Sequence, residues 1–240
     1  MTQISSYKFS DINDCADLIC YPKLDHEEFK KRLVELKELG VYGIEVRGCP
    51  LVSGFRVLGK GCVGIVVSAL TETGKTALKI RRLDADRINL LREVEMLKIA
   101  NSVDVGPKLI SATKNFILME LIDGVLIHEW LKARSKTKKA VRNVLTNLLE
   151  QCFRLDSVGL DHGELSDARK HVIIDGKGHP VIIDFESASN SRRPSNLTSI
   201  CSFLFLGGFT AKFLSGKLEG FDRDKLINSL KTYKAEQNRN

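Results

Sequence analysis

Three glycines, Gly59-x-Gly61-x-x-Gly64 in LGKGCVGIV, run straight into IVVSAL, a β-branched stretch that reads as a strand. This pairing constrains the fold more than any other feature of the chain. A dinucleotide-binding turn needs a helix directly after its glycines and an acidic residue about 20 positions further on. The strand excludes that reading. The nearby ETGKT lacks the GxxxxGK spacing of a Walker loop. What remains is a glycine-rich turn between two strands. A backbone without Cβ atoms can approach phosphate oxygens closely and turn its amide N–H groups toward an anion.

The surrounding pattern, from Phe55 to Glu120, is rich in strands. FRVLG and IVVSAL flank the glycines, TETGK is a turn, and TALKI is a third strand. Lys79 lies inside that third strand. It either alternates outward to water or needs a partner or ligand. RINLLREVEMLKIA predicts a helix over 87–100, with Ile88, Leu91, Val94 or Glu95, and Ile99 at helical intervals. Glu93 and Glu95 both compete as partners for Lys79, and periodicity alone does not choose. KLISAT and FILMEL close the sheet.

Residues 1–50 precede this region as an extension. DHEEFKKRLVELKEL predicts a helix with Phe29, Leu33, Leu36 and Leu39 on one face, stopped by Gly40. YGIEVRG is a short strand. The expectation is that the extension packs on a small lobe at 51–119. A mainly helical lobe at 120–240 follows, beginning with IHEWLKA. Its long helix crosses KKAVRNVLTNLLEQCFRL, with Val141, Val144, Leu145, Leu148, Leu149 and Cys152 as its apolar stripe. HVIIDGKGHPVIIDF reads as a hairpin, and 196–234 as helices. A strand-rich half before a helical half is an α+β arrangement of two unequal lobes.

Composition narrows the class. Of 240 residues, 43% are hydrophobic and 28% charged, ordinary for a globular chain. MTQISSYKFS has neither a basic lead nor an apolar core, which argues against a secretory signal. The longest apolar run, Ile200 to Phe209, is half the roughly 20 residues of a spanning helix. A cytoplasmic location is expected. Cysteines 15, 20, 49, 62, 152 and 201 form no Cys-x-x-Cys, and the simplest reading is buried thiols. Cys62 is either a redox handle or a small residue suited to a tight turn. The net charge of +7 is concentrated in KARSKTKK, Lys132 to Lys139. That run reads as a solvated face or as a contact for RNA or a ribonucleoprotein. It lacks the aromatic residues of a base-stacking platform.

Two acidic positions complete the constellation. Asp184, in VIIDFES, ends an apolar strand, and a carboxylate there is a hard oxygen ligand suited to Mg²⁺. Glu164, in DHGEL, lies 20 residues upstream and is the candidate general base. In order, the chain offers a glycine-rich hairpin, a strand lysine, a helix glutamate, FILME, HGEL, a second hairpin and Asp-Phe. This order resembles the two-lobe protein kinase-like fold, here with a shortened C-terminal lobe, over about Leu51 to Ser189. It looks most like the small atypical Ser/Thr kinases of archaea, and is similar to the RIO kinases and to the kinase subunit of the KEOPS assembly.

The resemblance implies ATP with Mg²⁺, or Mn²⁺ in its place. It implies that Gly59, Gly61 and Gly64 cover the phosphates, and that Leu58, Lys60, Cys62 and Val63 of the same turn also bind ATP. Lys79 would contact the phosphates and pair with Glu93. Val66 and Ala77 would line the adenine, Met119 would be the gatekeeper, and the backbone of Glu120 and Ile122 would hold the base. Asp184 would bind the metal and Glu164 would serve as catalytic base. His162 would support the turn at Phe185.

Three departures accompany the resemblance. Glu164 stands where the family has Asp. The metal-binding Asn is missing: counting forward from Glu164 lands on Arg169, and counting back from the hairpin lands on His171, the remaining candidate second ligand. Asp161 and Asp167 are substitutes for it. Asp-Phe-Glu replaces Asp-Phe-Gly, and no Ala-Pro-Glu follows. The function implied is transfer of the γ-phosphate to a Ser/Thr hydroxyl of a protein or of the chain itself. The alternatives are a nucleotide-binding pseudokinase scaffold and a small-molecule kinase.

Overall fold

The computed structural model describes residues 9–45, 51–53, 55–133, 137–215, 218 and 220–236. The chain divides into two compact units, Met1–Asn101 with Pro107–Ile122, and Ser102–Gly106 with Asp123–Asn240.

In the first unit, strand β1 (Phe9–Asp11) leads through a 3-10 turn at Ile12–Cys15 into one turn of helix, α1 (Ala16–Ile19). Asp25 caps α2 (His26–Glu38) by accepting the Glu27 and Glu28 N–H groups at 3.0 Å each. Gly40, at φ +68°, turns the chain into β2 (Val41–Glu45). The end of the expected YGIEVRG strand, 46–48, lies outside the described residues. FRVLG is not one strand. After β3 (Leu51–Val52), it divides into β4 (Phe55–Arg56) and β5 (Gly59–Lys60). Next come β6 (Gly64–Thr71) and β7 (Gly74–Arg81), then α3 (Leu91–Asn101), β8 (Leu109–Ala112) and β9 (Phe116–Met119).

The helix expected over 87–100 starts late. The Asn89 carboxamide oxygen accepts the Leu91 N–H at 3.1 Å, and the Leu90 N–H is taken by the Lys114 carbonyl at 3.0 Å. Both bonds commit the backbone before the helix, so Ile88 is 77% exposed and lies off the apolar stripe.

The antiparallel sheet runs β1-β2-β6-β7-β9-β8. β5 pairs with the start of β6, and β2 pairs with its end. The extension therefore supplies sheet strands as well as a covering helix. Alternation sorts the two faces. Ile65, Val67, Ala69, Leu78, Ile80, Phe116 and Leu118 enter one core with Leu18, Ile19, Leu36 and Ile44 of the extension. Each large side chain buried there contributes about 2 kcal/mol. The strand registers align Val66 with Lys79 and Ile117, and Ala77 with Met119, on the opposite face.

The second unit has a three-stranded sheet, β10-β11-β12. β10 (Gly124–Leu126), which periodicity did not reveal, precedes α4 (Ile127–Lys132) and α5 (Lys138–Ser157); then come β11 (Val172–Asp175) and β12 (Pro180–Ile182). A Cβ at Gly124 would meet the Ile174 carbonyl oxygen at 2.3 Å, so only glycine lets β10 pair here. On α5, Val141, Val144, Leu145, Leu148, Cys152 and Leu155 are buried. The remaining helices are α6 (Asn196–Cys201), a wide turn at Ser202–Leu206, α7 (Gly208–Ser215) and α8 (Arg223–Glu236). Asp156, in the last turn of α5, gathers this end of the unit. It accepts from Asn196 N (2.9 Å), Asn196 Nδ2 (2.8 Å), Leu197 N (3.1 Å) and the Tyr233 hydroxyl (2.9 Å). No described helix is long and apolar enough to cross a membrane.

Candidate active site

In the first unit the residues singled out from the sequence share one face of the sheet. Lys79, only 3% exposed, places Nζ 2.8 Å from Glu93 Oε1, and Glu93 is 5% exposed. α3 turns Glu93 inward and leaves Glu95 in solvent, so packing makes the choice that periodicity left open. A buried lysine needs such a carboxylate, because an uncompensated charge in low dielectric is strongly unfavourable. Val66 and Met119 are half-buried and Ala77 is buried on the same face. The Glu120 N–H and carboxylate are both spent on Lys108, at 2.9 and 3.2 Å, which fixes the end of β9. Ile122 is half-buried, and Leu58 is 37% exposed.

The glycine-rich turn is closed by a Gly61 N–H to Gly64 carbonyl bond of 2.8 Å. Gly64 is needed for a reason beyond anion approach. A Cβ there would lie 2.8 Å from Lys79 Cε and 3.1 Å from the Ile80 carbonyl oxygen, so glycine makes room for the lysine stem. Two residues not picked out from the sequence hold the turn. The Arg82 N–H donates to the Val63 carbonyl and Arg82 Nη1 to the Gly61 carbonyl, both at 2.8 Å. Lys60 Nζ donates to the Tyr21 hydroxyl at 2.5 Å and lies 4.4 Å from that ring's centroid, with Arg82 Cζ 5.2 Å from the same centroid. A tyrosine of the extension thus carries two cations, Lys60 of the glycine-rich turn and Arg82 just after β7. Cys62 is exposed, whereas burial pushes the Cys15 and Cys201 thiols up to about 12.

In the second unit the loop at 161–164 is fixed residue by residue. Asp161 is 4% exposed and accepts from Arg192 Nε at 2.5 Å, Ser195 N at 3.0 Å and Ser195 Oγ at 3.2 Å. It is a scaffold carboxylate, so the metal-ligand substitution considered for it fails. Asp167 is exposed and paired with Arg169 at 2.5 Å. Gly163 has φ +89°, and a Cβ would meet Arg192 Nη2 at 2.5 Å. Arg192 fills the space beside position 163. The His162 N–H donates to Asn196 Oδ1 at 2.8 Å, and Asn196 Nδ2 donates to the Leu160 carbonyl at 2.6 Å. Asn196 is buried and lies more than thirty residues downstream, too far for local patterning to point to it.

His162 is fully buried, edge-on to Phe185 at 5.2 Å and to His171 at 5.4 Å between ring centroids. Its Nε2 lies 3.0 Å from the Ile183 carbonyl and therefore carries the proton. Burial, reinforced by the neighbouring His171, pulls its pKa from 6.5 down to about 4, against the opposing pull of the Ile183 carbonyl, Asp184 and Glu164. The unfolded chain then binds a proton that the folded chain refuses. Stability from this group is complete above pH 6.5 and is lost as pH falls toward 4, about 3 kcal/mol in all. Urea titrations between pH 7 and pH 4 should show a steeper loss in the wild type than in His162→Gln. Equal slopes would overturn the assignment.

Glu164 is half-buried, with both carboxylate oxygens engaged. Oε1 accepts from the Ser187 hydroxyl, and Oε2 lies 2.8 Å from His171 Nε2. His171, the candidate second metal ligand, thus turns its Nε2 to Glu164. Asp184 is exposed and adopts φ +67°, unusual for a residue with a side chain and of the kind retained at functional turns. Among the described residues no cluster of three or more His, Cys, Asp or Glu could hold an ion by itself. Mg²⁺ does not require one. It keeps several waters and is held by one or two carboxylates plus substrate phosphates, which fits an exposed carboxylate such as Asp184. The basic run is only partly described: Lys132 ends α4 and Lys138 opens α5, while 134–136 lie outside the described residues.

Comparison with known sequences agrees with this arrangement. A protein of Methanocaldococcus jannaschii, itself uncharacterized, is 30% identical over 118 residues, covering 48% of this chain and 98% of that protein. The RIO domain family profile matches residues 68–200, more than half of the chain, from the strand before Lys79 to the helix that holds His162. The chain belongs to the RIO domain family of atypical kinase-like, ATP-binding proteins.

Proposed function

We propose that the chain transfers the γ-phosphate of ATP to a serine or threonine hydroxyl. The buried Lys79–Glu93 pair, on the sheet face that carries Val66, Ala77 and Met119, is the observation that supports this reading most. An ammonium held by a buried carboxylate is a preorganised cation for phosphate oxygens. Asp184 would hold Mg²⁺, which supplies charge neutralisation at the phosphates. Glu164 would orient the acceptor hydroxyl and receive its proton. Phosphoryl transfer passes through a loose transition state, so positioning and electrostatics carry most of the catalysis and a modest base suffices.

A second reading, a nucleotide-binding scaffold without turnover, is favoured by the engagement of both Glu164 oxygens and by the missing metal-binding Asn. One experiment separates the two. Mg-ATP at 100 times Kd should stabilise the wild type by about 2.7 kcal/mol, a melting shift of roughly 5–10 °C, and Lys79→Met should remove the shift. Labelled γ-phosphate should then reach protein in the wild type and fail to do so in Asp184→Asn and Glu164→Gln. A shift without transfer favours the scaffold. No shift in the wild type overturns both.

A further inference from the structure

We propose that Ser187 is a phosphoryl acceptor of this chain, presented in cis to Glu164; the inference rests on the transfer reading above. Ser187 donates its hydroxyl proton to Glu164 Oε1, the contact that a general base makes with the hydroxyl it activates. A loop serine ordinarily bonds to nearby backbone, yet this one reaches a carboxylate 23 residues upstream.

The rest of the cluster fixes that contact from three sides. His171, 9% exposed, takes the other Glu164 oxygen at 2.8 Å, which orients Oε1 toward Ser187. The Ser187 carbonyl accepts from Arg192 Nη2 at 2.9 Å, and Arg192 is anchored on buried Asp161. A Phe185-to-Ala188 turn, closed at 3.1 Å, places Ser187 three residues after Asp184, the proposed metal ligand. Nucleophile, base and metal carboxylate are thus set on one braced loop pair of the second unit. Holding reactants in this way replaces an encounter with a unimolecular step, an advantage on the order of 10⁵ M or more in effective concentration.

In the step itself, Ser187 Oγ forms a bond to the γ-phosphorus of a nucleoside triphosphate. The bond from that phosphorus to the β,γ-bridging oxygen breaks. The hydroxyl proton passes to Glu164 Oε1, and the nucleoside diphosphate leaves with the bonding electron pair. The product is a phosphoserine whose dianion faces the Glu164 carboxylate, with Arg192 and His171 close by.

The test uses the full chain with Mg-ATP, read by intact mass and by fragment mapping. One phosphate should appear at Ser187, at a rate independent of protein concentration. Ser187→Ala should lower incorporation at least about tenfold, Ser187→Thr should restore part of it, and the neighbouring Ser191→Ala should leave it unchanged. Melting with and without Mg-ATP shows that each variant folds and binds. Phosphate on other residues with Ser187 unmodified overturns the inference and leaves the proposed function standing. So does Ser187→Ala that speeds phosphorylation elsewhere, which would make Ser187 a plug over the base. No phosphate anywhere on the chain overturns the inference; transfer to an added Ser/Thr-rich acceptor protein then leaves the proposed function standing, and its absence there too overturns both.

Discussion

Arg32→Leu is expected to lower the melting temperature of the first unit by at least roughly 10 °C, following a loss of about 3–5 kcal/mol. Arg32 lies on α2, has no exposed surface, and is the largest fully buried side chain among the described residues. Nη1 donates to the Ile19 carbonyl at 2.6 Å and the Arg81 carbonyl at 2.8 Å, Nη2 to Asn115 Oδ1 at 3.3 Å, and Nε to Glu28 Oε1 at 3.0 Å. Its guanidinium also stands 5.9 Å from the centroid of the Phe116 ring. Asn115 in turn donates to Glu35 and accepts from Arg81 Nε at 2.8 Å. One side chain therefore joins α1, α2 and the ends of β7 and β9. Leucine fills part of the volume and satisfies none of the acceptors. Buried acceptors left without donors cost about 1–3 kcal/mol each, and more where charge is involved. Lys30→Ala is the control. Its ion pair with Glu27 is mostly exposed, at 71% and 76%, and less than about 1 kcal/mol should be lost. A melting point for Arg32→Leu within 2–3 °C of wild type, about 1 kcal/mol, would refute the network's importance.

The second large effect concerns the Lys79–Glu93 pair. Lys79→Met and Glu93→Leu should each cost about 3 kcal/mol, because each removes one half of a buried ion pair. The double variant should cost clearly less than the sum, since both halves of the pair are then gone and the penalty of breaking it is not counted twice. Phosphate transfer should be lost in all three proteins. A stability largely restored in the double, with activity still absent, separates what the pair does for folding from the phosphate role proposed for it. Additivity within about 0.5 kcal/mol would show that the two residues do not act together.

The kinase-like order was legible because each of its parts is local. Glycines before a β-branched run, a lysine within an apolar strand, and Asp-Phe at the end of a hairpin are visible without knowing what lies opposite them. The apolar face of α2 and the α5 stripe were legible for the same reason, since both follow from side chains three to four residues apart. The start of α3 was misplaced because Asn89 diverts the backbone through a side-chain bond that periodicity does not register.

What the amino-acid order determined by itself was the α+β character, the sequence of elements, and the short list of chemically able residues. What only the tertiary structure decided was which of them meet. It put Glu93 and not Glu95 against Lys79, spent Asp161 on Arg192, gave Glu164 to Ser187 and His171, and buried Arg32, a residue that composition would assign to the surface. The physical reason is common to all four. Periodicity reports how a side chain is spaced from its neighbours in sequence, whereas the partner of a buried charge or hydroxyl comes from a distant segment. That partner is selected by the cost of leaving a polar group unsatisfied away from water.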